Sequence, residues 1–495
     1  MAVVTVGLHL FAIRGYGWFR DEFYYLACAA HLDWGYVDHP PMVAVLTRLT
    51  QLLLGDSIVA LRLPPILAHA VAVFVTGMLA RGFGARRYGQ ALAAMCVMFA
   101  PVLLALTGYV SMNAYDIVCW TLLAWLLQRM VATGDPRWWA LFGVVAGLGL
   151  ENKHSVLFLG FGLVVGLVIA GPRRFLMSRW VVLGGAIAAA IVAPNVIWEI
   201  RHGWPTLEFM ANATATKNVA MAPGTFLLEQ VKQVSPFAAP IWIAGLAWLL
   251  LAREARQWRV FGLGYLAILG VFLLTAAKPY YLAPYYPILF AAGGRVADNL
   301  VEWPVWQAPL RALLVGLVAI GGNIALPLAL PVLSEEALIA YMDRIHSKPA
   351  AEERHAQSVL PQFFADMHGW RELVDAVAVA AGTLTPEERR QSIVFTGNYG
   401  QAGAIWWLGR GRALPPVASG HNNYWLWGPG TDHVAAIIVV GGTAAEHEKA
   451  CGRVTEVARM HAAYAMPYEA DKSIFVCRDL KESVATLWPT LKHYQ

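Results

Sequence analysis

The chain has 495 residues, of which 58% are hydrophobic and only 14% are Asp, Glu, Lys or Arg, well under the roughly 25% charged content of an ordinary soluble domain. With a mean hydropathy of +0.52 and apolar stretches recurring as far as about residue 331, this composition excludes a soluble cytosolic enzyme and describes a polytopic α-helical membrane protein. The net charge of +5 is spread thinly, with no basic run interleaved with aromatics, which excludes a nucleic-acid surface, and the five cysteines contain no CxxC, which excludes a zinc ribbon or thioredoxin-like motif.

In chain order the apolar spans fall at about 2–14, 58–80, 89–107, 114–132, 138–150, 154–171, 180–198, 236–252, 259–276, 279–293 and 308–331, eleven in all. Several are shorter than the roughly 20 residues a perpendicular crossing needs. The 138–171 stretch divides around Asn152-Lys153. The first span, 13 residues before Arg14, reads as the end of a longer helix whose start lies upstream, rather than as a signal peptide, because no basic segment precedes it and no A-x-A site follows. Gly160, Gly162 and Gly166 read as a helix-packing surface.

Charge divides the chain. Residues 1–331 carry 36 charged residues, and 332–495, half as long, carry 33. Two domains are expected: a transmembrane domain over 1–331 and a water-facing domain over 332–495. Alternate loops of the first hold 13 of its 22 basic residues, among them Arg81, Arg86, Arg87, Arg173, Arg174 and Arg179, and mark the cytoplasmic side. The opposite loops hold ten of 14 acidic residues, and the long loops 15–57 and 199–235 lie among them. With eleven crossings the tail also faces outside, as expected of a bacterial inner-membrane protein with an extracytoplasmic C-terminal domain. The tail reads as α/β: helix 335–346, strand 392–396, helix 401–409, strand 434–440, helix 444–461, strand 473–477 and helix 481–490. Cys451 and Cys477 either pair or sit as free core thiols.

Candidate chemistry concentrates on the outer face. Asp21 and Glu22, in Gly17-Trp18-Phe19-Arg20-Asp21-Glu22-Phe23-Tyr24-Tyr25, are followed by Asp38-His39-Pro40-Pro41. Two acids hemmed by aromatics beside a membrane suit general-base work; a solvated loop in an interfacial aromatic belt is the alternative. The prolines stiffen the chain and are expected to hold Asp38 near Asp21. Lys153, in Glu151-Asn152-Lys153-His154, and Lys278, before Pro279-Tyr280-Tyr281, interrupt apolar stretches. They mark a ligand path for an anionic head such as a lipid phosphate, or they snorkel. Asn113 and Asp116 either line the same cavity or cap a helix. The donor site is expected to be complete within residues 15–281, with the tail positioning an acceptor. Gly397-Asn398-Tyr399-Gly400-Gln401-Ala402-Gly403 departs from the dinucleotide spacing and reads as a structural turn. No D-x-D triplet and no GxxxxGK[ST] occurs, which disfavours a nucleotide-sugar enzyme.

The order of these motifs, an Asp-Glu pair in the first outer loop, Pro-Pro about 18 residues later, a Lys after the fifth span and Lys-Pro-Tyr-Tyr near the tenth, resembles family 39 glycosyltransferases of the GT-C membrane fold, over about residues 10–330. The resemblance implies inverting transfer of a sugar from a polyprenyl-phosphate donor to a glycan, lipid or protein acceptor among the membrane lipids, outside the cytoplasm, with no nucleotide, cofactor or metal. It assigns catalysis to Asp21 and Asp38 and phosphate binding to Lys153 and Lys278, with Tyr280 and Tyr281 beside them. Glu22, Tyr24, His39, Asn113, Asp116 and His154 are candidates for the cavity lining. Departures are Tyr24 where the aminoarabinose enzymes have Arg, His39 where they have Lys, and Asn113 where many relatives have Asp. The rival readings are a transporter of a lipid-linked sugar and a metal-dependent enzyme using Asp21, Glu22, Asp38 and His39 as ligands.

Overall fold

The computed structural model describes residues 1–13, 15–216, 221–275, 277–300, 307–348 and 356–495; Arg14 lies outside them. The chain forms two compact units, Met1–Gly15 with His39–Arg201 and Val219–Val332, and Tyr16–Asp38 with His202–Asn218 and Leu333–Gln495.

The first unit is helical. Among the described residues each apolar stretch contains helix, because a backbone without water satisfies its amides only within itself. Among the described residues, four are long and apolar enough to cross a membrane by length and composition: Ile58–Gly82, Arg179–Arg201, Arg256–Leu274 and Gln307–Ala329. Arg87–Phe99 and Pro101–Thr107 meet the same test only as a pair, bent by 59° as in a broken span or a re-entrant loop, where Pro101 cannot donate to the preceding turn. The 138–171 stretch divides as expected, into Trp138–Asn152 and Val156–Ile169. On the latter, Gly162 and Gly166 face the backbone of Gly264 and Val260, whereas Gly160 faces open space. One polar cluster sits inside this unit: His9 Nε2 lies 3.0 Å from His69 Nδ1, Thr107 Oγ1 lies within 3.2 Å of both, and His69 Nε2 is 3.1 Å from the Val97 carbonyl. That carbonyl can only accept, so His69 carries its proton on Nε2 and His9 donates to His69. Four helices are thereby fastened at a level where hydropathy alone gives no register.

The 15–57 and 199–235 stretches are not extended loops. They fold into the helices Arg20–Ala30, Met42–Leu54, Pro205–Thr216 and Pro223–Gln233. Met42–Leu54 is two-faced, burying Val43, Ala44, Thr47 and Thr50 and exposing Leu49, Leu52 and Leu53, a pattern that fits a helix lying along a lipid surface.

The second unit is built on a sheet of β1 (Ser392–Thr396), β2 (Val417–Ser419), β3 (Ala436–Val440), β4 (Cys451–His461) and β5 (Asp471–Leu480), in the order β2-β1-β3-β5-β4 among the described residues. β1 pairs in parallel with β2 and β3; β5 runs antiparallel to both β3 and β4. Here the expected helix 444–461 is corrected. Only Ala444–His447 is helical; the rest is β4, paired with β5 from Cys451↔Leu480 to His461↔Asp471 with a register shift between Glu456 and Ala458. Pairing outweighs the helical preference of its Ala, Glu and Arg residues. The expected helix 481–490 is likewise reduced to Val484–Leu487 and a 3-10 turn, Trp488–Leu491. Cys451 and Cys477, on neighbouring strands with Cα atoms 5.9 Å apart, form a disulfide.

This unit is discontinuous because the first outer segment packs on the tail. Helix Arg20–Ala30 lies on helix Tyr399–Leu408. A Cβ on Gly403 would meet Phe23 at 2.7 Å, and one on Gly400 would strike the Arg20 side chain. The glycines read as a plain turn are therefore the ones that let two helices approach closely.

Candidate active site

Asp21 stands in the first turn of helix Arg20–Ala30, where the unpaired N–H groups favour a negative charge. Its neighbour Glu22 does a different job: it is 1% exposed and its Oε2 accepts the Phe19 N–H at 2.8 Å, capping the start of the helix from within. Glu22 is thus a structural acid, while the Asp21 side chain remains 30% exposed.

Two donors converge on Oδ1 of Asp21: the Tyr399 hydroxyl at 2.9 Å and Arg20 Nε at 3.3 Å. Arg20 is itself fixed by the Tyr468 hydroxyl at 2.7 Å and by Asp366 at 3.6 Å. Asp38 accepts from Tyr24, whose hydroxyl lies 2.8 Å from Oδ1 and 3.0 Å from Asn423 Oδ1. The two tyrosines stack, centroids 4.6 Å apart at 26°, and His421 covers the other face of Tyr399 at 4.7 Å. His421 Nδ1 accepts the Tyr399 N–H and its Nε2 donates to the Gln495 carbonyl, which fixes the ring's orientation. Burial, and then the charge of Asp21, raises the Tyr399 hydroxyl well above the ordinary phenol range; burial and Asp38 do the same to Tyr24. Both phenols are therefore permanent donors, and neither is a base.

Sequence reasoning missed Tyr399, Asp366, Tyr468 and His421, since they lie more than 340 residues beyond Asp21. They extend the surroundings of Asp21 beyond the 15–281 stretch within which the donor site is expected. The one available signal was the Gly-x-x-Gly spacing around Tyr399.

The cationic candidates assemble within the first unit. Lys153 ends helix Trp138–Asn152, its N–H bonded to the Gly149 carbonyl at 2.8 Å. Its ammonium donates to Asn113 Oδ1 at 2.6 Å, lies 4.0 Å from Asp116 Oδ2, and sits over the rings of Tyr281 and Tyr280 at 5.1 and 5.9 Å. Ser155 donates to the same Asp116 oxygen at 2.7 Å. The helix cap is Ser111, not Asn113 or Asp116, so these two are free of that duty and face the lysine. Lys278 precedes the 3-10 turn Pro279–Tyr285, accepting the Tyr281 N–H at 3.0 Å, which fixes it one turn from the tyrosines. His154 contacts Asn195 at 3.3 Å, and His39 is buried with Nδ1 2.8 Å from the Pro40 carbonyl. An ammonium flanked by aromatic faces has the chemistry to meet an anion. Among the described residues no group of three or more His, Cys, Asp or Glu is placed to hold a metal ion.

Residues 38–198 match the family described as dolichyl-phosphate-mannose-protein mannosyltransferase. The chain is 27% identical over 194 residues to the lipid A galacturonosyltransferase RgtD of Rhizobium johnstonii, a match covering 38% of this chain and 40% of that protein. Two solved structures of ArnT from Cupriavidus metallidurans, one bound to undecaprenyl phosphate and one in the apo state, align with TM-scores of 0.60 and 0.62 at 15% identity, covering 96% of each chain. At that identity the likeness establishes the fold, which is the ArnT-like GT-C fold.

Proposed function

We propose that this chain, a membrane protein of the ArnT-like GT-C fold, transfers a sugar from a polyprenyl-phosphate donor to a hydroxyl of a lipid acceptor. The observation that carries the reading is the fixed, part-exposed carboxylate of Asp21, with both of its hydrogen bonds on one oxygen. In the reaction the acceptor oxygen forms a bond to the anomeric carbon from the face opposite the phosphate. The bond from that carbon to the phosphate oxygen breaks, the acceptor proton passes to Asp21, and the lipid phosphate leaves with both electrons. Charge grows on the leaving oxygens, and Lys153 and Lys278 stabilise it. Asp38, secured by Tyr24, is the second carboxylate of the site.

The donor class is supported by the undecaprenyl phosphate in the ArnT structure and by the family matched over 38–198. A lipid acceptor is preferred over a protein or a free glycan because RgtD acts on lipid A. Eleven crossings with the N-terminus inside would set the second unit outside the cytoplasm. The Cys451–Cys477 disulfide fits that placement, since such bonds persist in oxidising compartments.

The test is transfer by the purified protein from a panel of undecaprenyl-phosphate sugars to lipid A, followed by mass spectrometry, with and without a chelator. Product formation by wild type, lost in Asp21→Asn, is expected. Flipping of the donor across vesicles without product would favour a transporter, and loss of activity with chelator a metal enzyme.

A further inference from the structure

We infer that Tyr399 of the C-terminal half is a positioning residue for the catalytic carboxylate, holding Asp21 so that one oxygen is anchored and the other faces the acceptor hydroxyl. This rests on the function proposed above and extends it to a part of the chain for which the resemblance has no role. A carboxylate on a helix end rotates freely about its last torsion unless something holds it. Here Oδ1 receives both Tyr399 and Arg20, so among the described residues Oδ2 is the oxygen left for a proton in transfer. Geometry of that kind is worth rate rather than affinity, because the acceptor proton moves only in the transition state.

Tyr399 is built to be immobile. Its ring is clamped between Tyr24 at 4.6 Å and His421 at 4.7 Å, its backbone N–H bonds to His421, and its helix is seated on helix Arg20–Ala30 through Gly400 and Gly403. Helix Tyr399–Leu408 is in turn capped by Asn398, whose side-chain oxygen accepts the Gln401 N–H at 3.0 Å and whose amide donates to Glu469 at 2.6 Å. Gln401 donates to the other oxygen of Glu469 at 2.7 Å. The anchor thus runs from the sheet unit to Asp21. Because Tyr24 carries Asp38 and stacks on Tyr399, the same pair of rings sets the spacing of both acids.

The experiment is a double-mutant cycle on the full-length protein with saturating lipid A and varied undecaprenyl-phosphate sugar. Tyr399→Phe keeps the ring, the stack and the helix seat and removes only the hydroxyl. Its kcat should fall about ten- to a hundredfold, the worth of one hydrogen bond to a charged group, with donor KM unchanged. Tyr399→Phe combined with Asp21→Asn should be no slower than Asp21→Asn alone, as expected of groups that act as a unit. A Tyr399→Phe enzyme with wild-type kcat, or defects that multiply in the double variant, would overturn the inference while leaving the glycosyltransferase reading intact. Full activity in Asp21→Asn would instead sink that reading itself.

Discussion

The ammonium of Lys153 donates to the amide oxygen of Asn113 at 2.6 Å and stands 4.0 Å from the carboxylate of Asp116. A lysine so placed is not locked in a full ion pair. Its neutral partner fixes the direction of the head group without cancelling its charge, and the tyrosine faces strip water from the other side.

Lys153→Ala should therefore weaken donor binding as well as rate. Phosphate charge is present before the reaction and increases during it, so a rise of about tenfold or more in donor KM is expected from the loss of one charged hydrogen bond, together with a lower kcat. Lys278→Ala should act in the same direction. Donor titration of each variant checks this, and unchanged affinity in both would assign the lysines to snorkelling.

Asp21→Asn should abolish transfer while donor lipid still copurifies, since shape is kept and the base is lost, a change of about a hundredfold to ten-thousandfold. Glu22→Gln should behave differently. The amide oxygen can still accept the Phe19 N–H, so activity should stay near wild type, whereas Glu22→Ala should lower stability through the lost cap. Equal loss of transfer in Asp21→Asn and Glu22→Gln would contradict the division of labour between the two acids.

Much of the membrane unit was legible, because burial in lipid imposes long apolar helices whose signal is local. The helices Met42–Leu54 and Pro223–Gln233 were not, since the first is too short for a crossing and about half of the second is polar, so that a hydropathy window averages its two faces away. β4 was misread because its composition favours a helix, and only its pairing with β5 decides otherwise. Among the candidate residues, Asp21, Asp38, Lys153 and the tyrosines beside it stood out by chemistry unusual beside an apolar stretch. Tyr399 did not, being a buried aromatic among many; what distinguishes it is a partner 378 positions away, which no local pattern encodes.

Acid should loosen one corner of the C-terminal half first. Glu388 accepts from Arg478 at 2.7 Å and closes a capping box with Thr385, which together hold its carboxyl down at about 2. A depressed value in the folded state means the contribution is full above the ordinary glutamate range and fades as pH falls toward 2. Glu388→Gln should accordingly speed hydrogen exchange in helix Pro386–Arg390 at neutral pH, with the difference from wild type closing as pH approaches 2. A difference that persists unchanged there would show that the ion pair is not its source.

The placement of the second unit can be tested with its own disulfide in place. Cys451 and Cys477 join the edge strand β4 to β5, and a closure of this length is worth about 3.5 kcal/mol by chain entropy. Both should therefore be retained, while Cys28, Cys96 and Cys119 are replaced to remove the free thiols. In that background Glu387→Cys, at a side chain 68% exposed, should react with a membrane-impermeant maleimide in intact spheroplasts. Arg86→Cys, in an arginine-rich loop assigned to the cytoplasm, should react only after lysis. Cys451 and Cys477 should take up label only after reduction. The reverse pattern at positions 387 and 86 would put Asp21, which belongs to the same compact unit as residue 387, in the cytoplasm. An enzyme so oriented would not meet a donor presented at the outer leaflet, and the acceptor would have to be sought among lipids still on the inner face.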